Sequence, residues 1–356
     1  MKPLERRLQV VVGAGGVGKT TLAAALGIEA AVAGHETLVA TFDPSLRLKT
    51  ALGVGDEARE REVPVALPAS LAGAAPVFAH LLDARRTFDR LVERYSPDRT
   101  AAERILGNRF YDQLSGSLGG IFEYMAVERL YEAAGEGRWQ RILLDTPPTR
   151  QALDFLEAPD RILSFLDSGA LKVALRPWFD QAGRLQPTRG WGPLGRAAER
   201  YLDDLVGLDL LRDMAEFFQA FGPLYDGFRE RAEAVRQLLQ GAECEFLLVA
   251  GPGPERVPDA LFFARRLAES GHRLAALVVN RIHPMTADEA SRGDDPFAAG
   301  RRLLAWLAAH DRRGLAELES LMGHAVPLVA VELEPAEPTS PESLLGLGRR
   351  VRAGLG

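Results

Sequence analysis

Residues 13–21 read Gly-Ala-Gly-Gly-Val-Gly-Lys-Thr-Thr and follow the apolar run Leu8–Val12. Glycines at 13, 15, 16 and 18 let a backbone turn its N–H groups inward, as a loop that wraps phosphate must. A helix opening near Lys19 adds free N–H groups and the positive end of its dipole. In this spacing Lys19 reaches the β- and γ-phosphates of a nucleotide and Thr20 ligates Mg2+. The expected phosphate-binding set is Gly13, Gly15, Gly16, Val17, Gly18, Lys19, Thr20 and Thr21. The same letters contain Gly13-x-Gly15-x-x-Gly18, the dinucleotide fingerprint, and Asp43 ends the next strand where a ribose-binding acid would sit. Lys19-Thr20 directly after Gly18 decides for the phosphate loop, because a lysine there would crowd a dinucleotide's pyrophosphate.

Three further positions could join this chemistry. Asp43-Pro44 follows the apolar run Thr37–Phe42. An acid there can orient water on a γ-phosphate or bind Mg2+ through water, and Asp-Pro is equally a common strand-end turn. Asp145-Thr146-Pro147-Pro148-Thr149 follows Arg141–Leu144, where an acid is the usual second Mg2+ partner of a phosphate-loop fold. Asn280-Arg281 ends the run Leu274–Val279. Asn280 offers a donor and an acceptor to a base edge. A guanine reader would need an acid shortly after it; the chain continues Ile282-His283, which favours adenine.

The elements that must position these residues are visible as short apolar runs, each ending in a turn: Leu8–Val12, Thr37–Phe42, Arg141–Leu144, Phe246–Ala250, Leu274–Val279 and Val326–Val331. Runs apolar on both faces suit a buried parallel sheet. Helical stretches such as Thr20–Ala33 and Val257–Ser270 separate them, and Ser340-Pro341 opens a last helix. The alternation predicts a doubly wound, mostly parallel α/β sheet. Two long stretches interrupt it. Pro76–Tyr95 carries Phe78, Leu81, Leu82, Phe88 and Leu91 at helical spacing, and Tyr201–Leu239 continues likewise. The expected organisation is one domain over 1–356, with a nucleotide core at 1–59, 139–157 and 241–356 and a helical subdomain built from inserts at about 60–138 and 158–240. The apolar residues of the inserts read as helix core in preference to a client groove.

Composition narrows the function. The chain has 356 residues and a formal net charge of −6, which makes no case for nucleic-acid binding. Its 43 basic residues include four lysines, Lys2, Lys19, Lys49 and Lys172. Cys244 is the single cysteine, too few for an internal disulfide, a Cys-x-x-Cys zinc site or a thiolate-bound cluster. The histidines show no metal-ligand spacing. There is no signal-peptide pattern and no apolar run near the roughly 18 residues of a membrane span. The expectation is a cytoplasmic protein without an integral membrane segment.

These residues carry a resemblance. The chain resembles the ArsA-type ATPases, which hold the arsenite-pump ATPase and the tail-anchored-protein targeting ATPases. The family's motifs find counterparts in order: GAGGVGKTT at 13–21, DPSLRL at 43–48 (its switch I), DTPPTRQAL at 145–153 (its switch II), VVNRIHP at 278–284 and VPLVAVELEP at 326–335. The resemblance implies ATP and Mg2+ as ligands, Lys19 and Asp43 as the catalytic pair, Thr20 and Asp145 on the metal, and Asn280 and Pro327 at the base. It also implies a dimer and a helical subdomain that binds a protein client. Departures matter. The family's dimer-crossing lysine is Ala14 here, and its arsenite-binding and zinc-clamping cysteines are absent. An ATPase of low basal activity is therefore expected, completed as a homodimer or by a lysine-bearing paralogue. Two other readings stay open: a nucleotide-binding scaffold with little turnover, and a positioning ATPase of the ParA/MinD kind, for which the tail Arg349–Arg352 is a weak anchor.

Overall fold

The computed structural model describes residues 3–42, 47–108, 121–148, 150–167, 225–285, 298–323 and 326–355. In chain order the strands are β1 (Leu8–Gly13), β2 (Thr37–Thr41), β3 (Val63–Pro64), β4 (Val77–Leu81), β5 (Arg141–Asp145), β6 (Cys244–Ala250), β7 (Leu274–Ile282) and β8 (Leu328–Glu332). The helices are α1 (Lys19–Val32), α2 (Arg47–Leu52), α3 (Ala84–Tyr95), α4 (Arg99–Leu106), α5 (Ile121–Gly135), α6 (Arg150–Asp167), α7 (Tyr225–Gln240), α8 (Val257–Glu269), α9 (Ala298–Met322) and α10 (Pro341–Ala353). The chain divides into two compact units. One comprises Met1–Asp83, Leu130–Leu153 and Gln237–Gly356; the other comprises Ala84–Arg129 and Asp154–Arg236.

The first unit holds an eight-stranded sheet in the order β3-β4-β2-β5-β1-β6-β7-β8. All pairings are parallel except β3 with β4. The central strands β1, β2 and β6 are buried along their whole length, which is why they read as unbroken apolar runs. The strand order reverses at β1: β5 and β2 lie on one side of it and β6 adjoins it on the other, the arrangement that opens a crevice at the carboxyl ends of β1 and its neighbours. Helix α1 is buried nearly all round. Its small residues let it lie close on the sheet: a Cβ at Gly27 would run into Val39. On its other flank, a Cβ at Gly348 of α10 would run into the Ala25 carbonyl.

The structure departs from the sequence reading at 60–95. The apolar spacing of Pro76–Tyr95 predicts one helix, whereas residues 77–81 form β4 and the helix begins only at Ala84. Phe78, Leu81 and Leu82 belong to the strand and its exit, and their register with Phe88 and Leu91 is a coincidence of spacing. β3 is a two-residue edge strand whose Pro64 cannot donate a ladder hydrogen bond, in keeping with its place at the sheet margin. Residues 60–83, read as the start of a helical insert, thus extend the sheet. The stretch Gln186–Gly195 and most of Tyr201–Leu239 lie outside the described residues.

The second unit is helical where it is described. Its core gathers Phe88, Leu91 and Val92 of α3, Ala102 and Ile105 of α4, Tyr124 and Met125 of α5, Ala158 and Leu163 of α6, and Phe228 and Ala232 of α7. Among these apolar side chains sits a charged pair. Glu128, fully buried, accepts from the Arg231 guanidinium and, at 3.1 Å, from the Tyr124 hydroxyl. Burial beside that carboxylate pushes the Tyr124 hydroxyl far up, so it remains a donor.

Candidate phosphate-binding site

The glycine loop joins β1 to α1 at the carboxyl edge of the sheet. Gly16 and Gly18 adopt φ of +77° and +95°, backbone that a side chain would strain. A Cβ at Gly18 would also collide with the amide nitrogen of Asn280. Gly18 occupies the N-cap of α1 and supplies no side-chain cap, so the first-turn N–H groups stay available to a ligand. Lys19 is buried and its Nζ donates to the Ala14 carbonyl at 2.9 Å.

Asp145 ends β5 and is fully buried. Its Oδ2 accepts from Thr20 Oγ1 at 2.7 Å and from Thr41 Oγ1 at 3.0 Å. Register explains the meeting: Asp145 pairs with Val11 of β1 on one side and Thr41 of β2 on the other. Thr146 Oγ1 donates to the Val11 carbonyl at 2.8 Å and ties the start of the following loop to β1. A cavity of about 630 Å³ opens over this group, lined by the glycine loop, Lys19, Thr20, Thr21, Arg47, Pro148, Arg281 and the segment Glu337-Pro338-Thr339. The arrangement joins a hydroxyl and a carboxylate, both hard oxygen donors, beneath a loop whose positive φ at Gly16 and Gly18 favours glycine. That fits a divalent cation and the phosphate chain it accompanies.

Of the residues named from sequence, Gly15, Gly16, Gly18, Lys19, Thr20 and Thr21 line this cavity and Asp145 lies beneath Thr20. Gly13 closes β1 against β6, where a Cβ would meet the Val249 carbonyl. Val17 and Asn280 line an adjoining hollow of about 420 Å³. Asn280 is buried and its Nδ2 donates to the Val17 carbonyl at 2.8 Å, so the amide braces the loop. Asp43 and its neighbours Pro44, Ser45 and Leu46 lie outside the described residues, as does Thr149. Ala14 packs, half-buried, against the apolar core and brings no charge.

Pro327 is a correction. It precedes β8 and is exposed, and its carbonyl accepts from Leu277 N. It therefore lies at the amino end of a parallel strand, while the cavity lies beyond the carboxyl ends. The wall that the last strand supplies comes after it, from Glu337, Pro338 and Thr339.

Sequence reasoning missed Thr41, whose signal was a hydroxyl closing an otherwise apolar strand. It also passed over Arg281, quoted only as a neighbour of Asn280. Cys244 is buried within β6, and burial pushes its thiol far up. No group of three or more His, Cys, Asp or Glu among the described residues is disposed to hold a metal ion. No described helix is long and apolar enough to cross a membrane.

A parallel sheet with a glycine loop between its central strand and a buried helix defines the α/β class of P-loop nucleoside-triphosphatases. Within that class, the chain belongs to the anion-transporting ATPase family, whose ArsA model matches residues 6–191. It is 29% identical over 340 residues to an uncharacterized protein of Streptomyces coelicolor, covering 93% of this chain and 78% of that one. It is 27% identical over 346 residues to ATPase GET3B of Arabidopsis thaliana, covering 92% and 76%. It is 29% identical over 271 residues to ATPase ARSA1 of Chlamydomonas reinhardtii, covering 66% of this chain and 33% of that one.

Proposed function

We propose that this chain is an ATPase of low basal activity that binds ATP with Mg2+ in the cavity at the glycine loop. The observation that carries the reading is the 2.7 Å bond between Thr20 and Asp145, beneath a glycine loop that holds Gly16 and Gly18 at positive φ and lines an open cavity. In this reading the loop and Lys19 hold the phosphates, Thr20 and Asp145 hold the metal and Asp43 orients the attacking water. The metal supplies charge neutralisation on the phosphates when bound. Asn280, with no acid close behind it, favours adenine over guanine. The protein acts in the cytoplasm as a homodimer or beside a lysine-bearing paralogue, and nucleotide state controls a protein client on the helical unit.

The test is steady-state phosphate release by the isolated protein, with ATP and GTP, and with and without such a paralogue. Slow Mg2+-dependent release from ATP, raised by the paralogue, is the expected result. Asp43→Asn should keep ATP affinity and lower kcat, because a water-orienting carboxylate acts in the transition state. ATP binding with no release under any condition would leave a nucleotide-holding scaffold in place of an enzyme.

A further inference from the structure

A regular strand sends consecutive side chains to opposite faces. Asn280 and Arg281, near the end of β7, do not obey. The pairing of β7 with β8 shifts register between Val279 and Ile282. Within that shift Arg281 sits at φ +66°, a left-handed backbone that costs a residue with a Cβ about 1–2 kcal/mol. Both side chains consequently reach one loop: Asn280 bonds the Val17 carbonyl, and Arg281 Nη1 donates to the Gly16 carbonyl at 2.9 Å. Bulges re-aim side chains beside active sites, and strained backbone persists where its surroundings over-determine it.

The re-aimed guanidinium stands at a particular place. Arg281 lines both the 630 Å³ cavity and the 420 Å³ hollow, in company with Gly15 and Gly16, so it forms part of the wall between them. Among the described residues, the lining of the larger cavity carries the cationic side chains Lys19, Arg47 and Arg281 and the carboxylate Glu337. Lys19 and Arg281 both donate to neutral carbonyls of the glycine loop. A phosphate oxygen is a stronger partner for a guanidinium than a carbonyl is, through charge-assisted and bidentate bonds.

We propose that Arg281 binds the phosphate chain of the nucleotide held by its own glycine loop, exchanging the Gly16 carbonyl for phosphate oxygens. The inference rests on the nucleotide-binding reading above. It gives the bulge in β7 a purpose: Asn280 braces the loop from behind while Arg281 closes over its mouth.

The test is calorimetric titration of ATP, ADP and adenosine, with Mg2+, into the full chain and into Arg281→Ala, Arg281→Gln and Arg281→Lys. Protein concentrations are chosen below and above any self-association seen by sedimentation. Arg281→Ala and Arg281→Gln are expected to weaken ATP and ADP by about tenfold or more, the worth of a hydrogen bond to a charged group, and to leave adenosine unchanged. Arg281→Lys should recover part of the loss. Equal weakening of ATP and adenosine would make the arginine a structural wall and overturn the proposal, as would unchanged ATP affinity. A loss confined to concentrations at which the chain self-associates would assign the arginine to a second copy's nucleotide and overturn the same-chain assignment. A parent protein that binds no ATP would overturn the nucleotide reading itself, a result separable from all of these.

Discussion

Each of the two units buries charge, and they use it differently. In the helical unit Glu128 is sealed among apolar side chains and meets Arg231 and Tyr124 there. Donors and acceptor satisfy one another inside the unit, so the cluster serves the fold. In the sheet unit two of the buried charges, Lys19 and Asp145, stand at the edge of a cavity. Lys19 bonds a carbonyl of its own loop, and Asp145 accepts from Thr20, which lines that cavity. Removing a charge from the first place should cost stability and leave binding alone; removing one from the second should do the reverse. Burial by itself does not mark a functional residue. What marks it is whether its polar neighbours also face open volume.

The largest effect is expected in the helical unit. Arg231→Leu leaves the Glu128 carboxylate buried without its cation, a loss of about 3–5 kcal/mol. Denaturant unfolding should show it, while ATP affinity of the folded protein stays within about twofold of the parent. A large fall in ATP affinity would erase the contrast between the units. In the sheet unit Lys19→Ala should lower ATP affinity on the order of a hundredfold in calorimetry, through loss of charge-assisted bonds to phosphate. Its unfolding free energy should shift by less than the loss expected for Arg231→Leu, as denaturant unfolding of the two variants would show. Unchanged ATP affinity in Lys19→Ala would sink the phosphate-loop assignment.

The contrast also governs what the sequence could disclose. The glycine loop is legible because its demands are local: Gly16 and Gly18 need positive φ whatever surrounds them, and their spacing to Lys19 is fixed by the turn into α1. Five of the strands were legible because burial on both faces leaves a nearly unbroken apolar run, and β8, buried on one face only, by its short run of apolar residues. β4 was not, because Phe78, Leu81 and Leu82 merge with the apolar stripe of α3, and only pairing with β2 separates strand from helix. Arg281 was hidden for a related reason. Its direction comes from a register shift against β8, a property of two strands together that neither strand carries alone. Pro327 was misassigned because matching a motif to the last strand does not say which end of that strand meets the nucleotide. The Arg231–Glu128 pair had no sequence signal at all, as it joins residues on helices 103 positions apart.

The smallest expected effect asks how far the site depends on structure outside the glycine loop. Glu337, Pro338 and Thr339 form one wall of the cavity, and the next residue, Ser340, caps α10. The cap is reciprocal: Ser340 Oγ accepts from Ser343 N at 3.3 Å, and Ser343 Oγ accepts from Ser340 N at 3.1 Å. Pro341 at the first helical position fixes the entry further. Helix α10 is held in turn by Leu344, Leu347 and Val351, all buried, and by the close approach of Gly348 to α1. Ser340→Ala should therefore cost about 1 kcal/mol in unfolding free energy without dislodging the helix. The freed first turn lets the wall segment sample more conformations, so ATP affinity should fall by about two- to threefold, equivalent to roughly half of that energy. Ser340→Asp, which restores a capping acceptor, should recover both. If stability falls and returns with the cap while ATP affinity never moves, residues 337–339 border the cavity without holding its ligand, and the nucleotide-binding part of the sheet unit contracts to the glycine loop, Thr20, Asp145 and the end of β7.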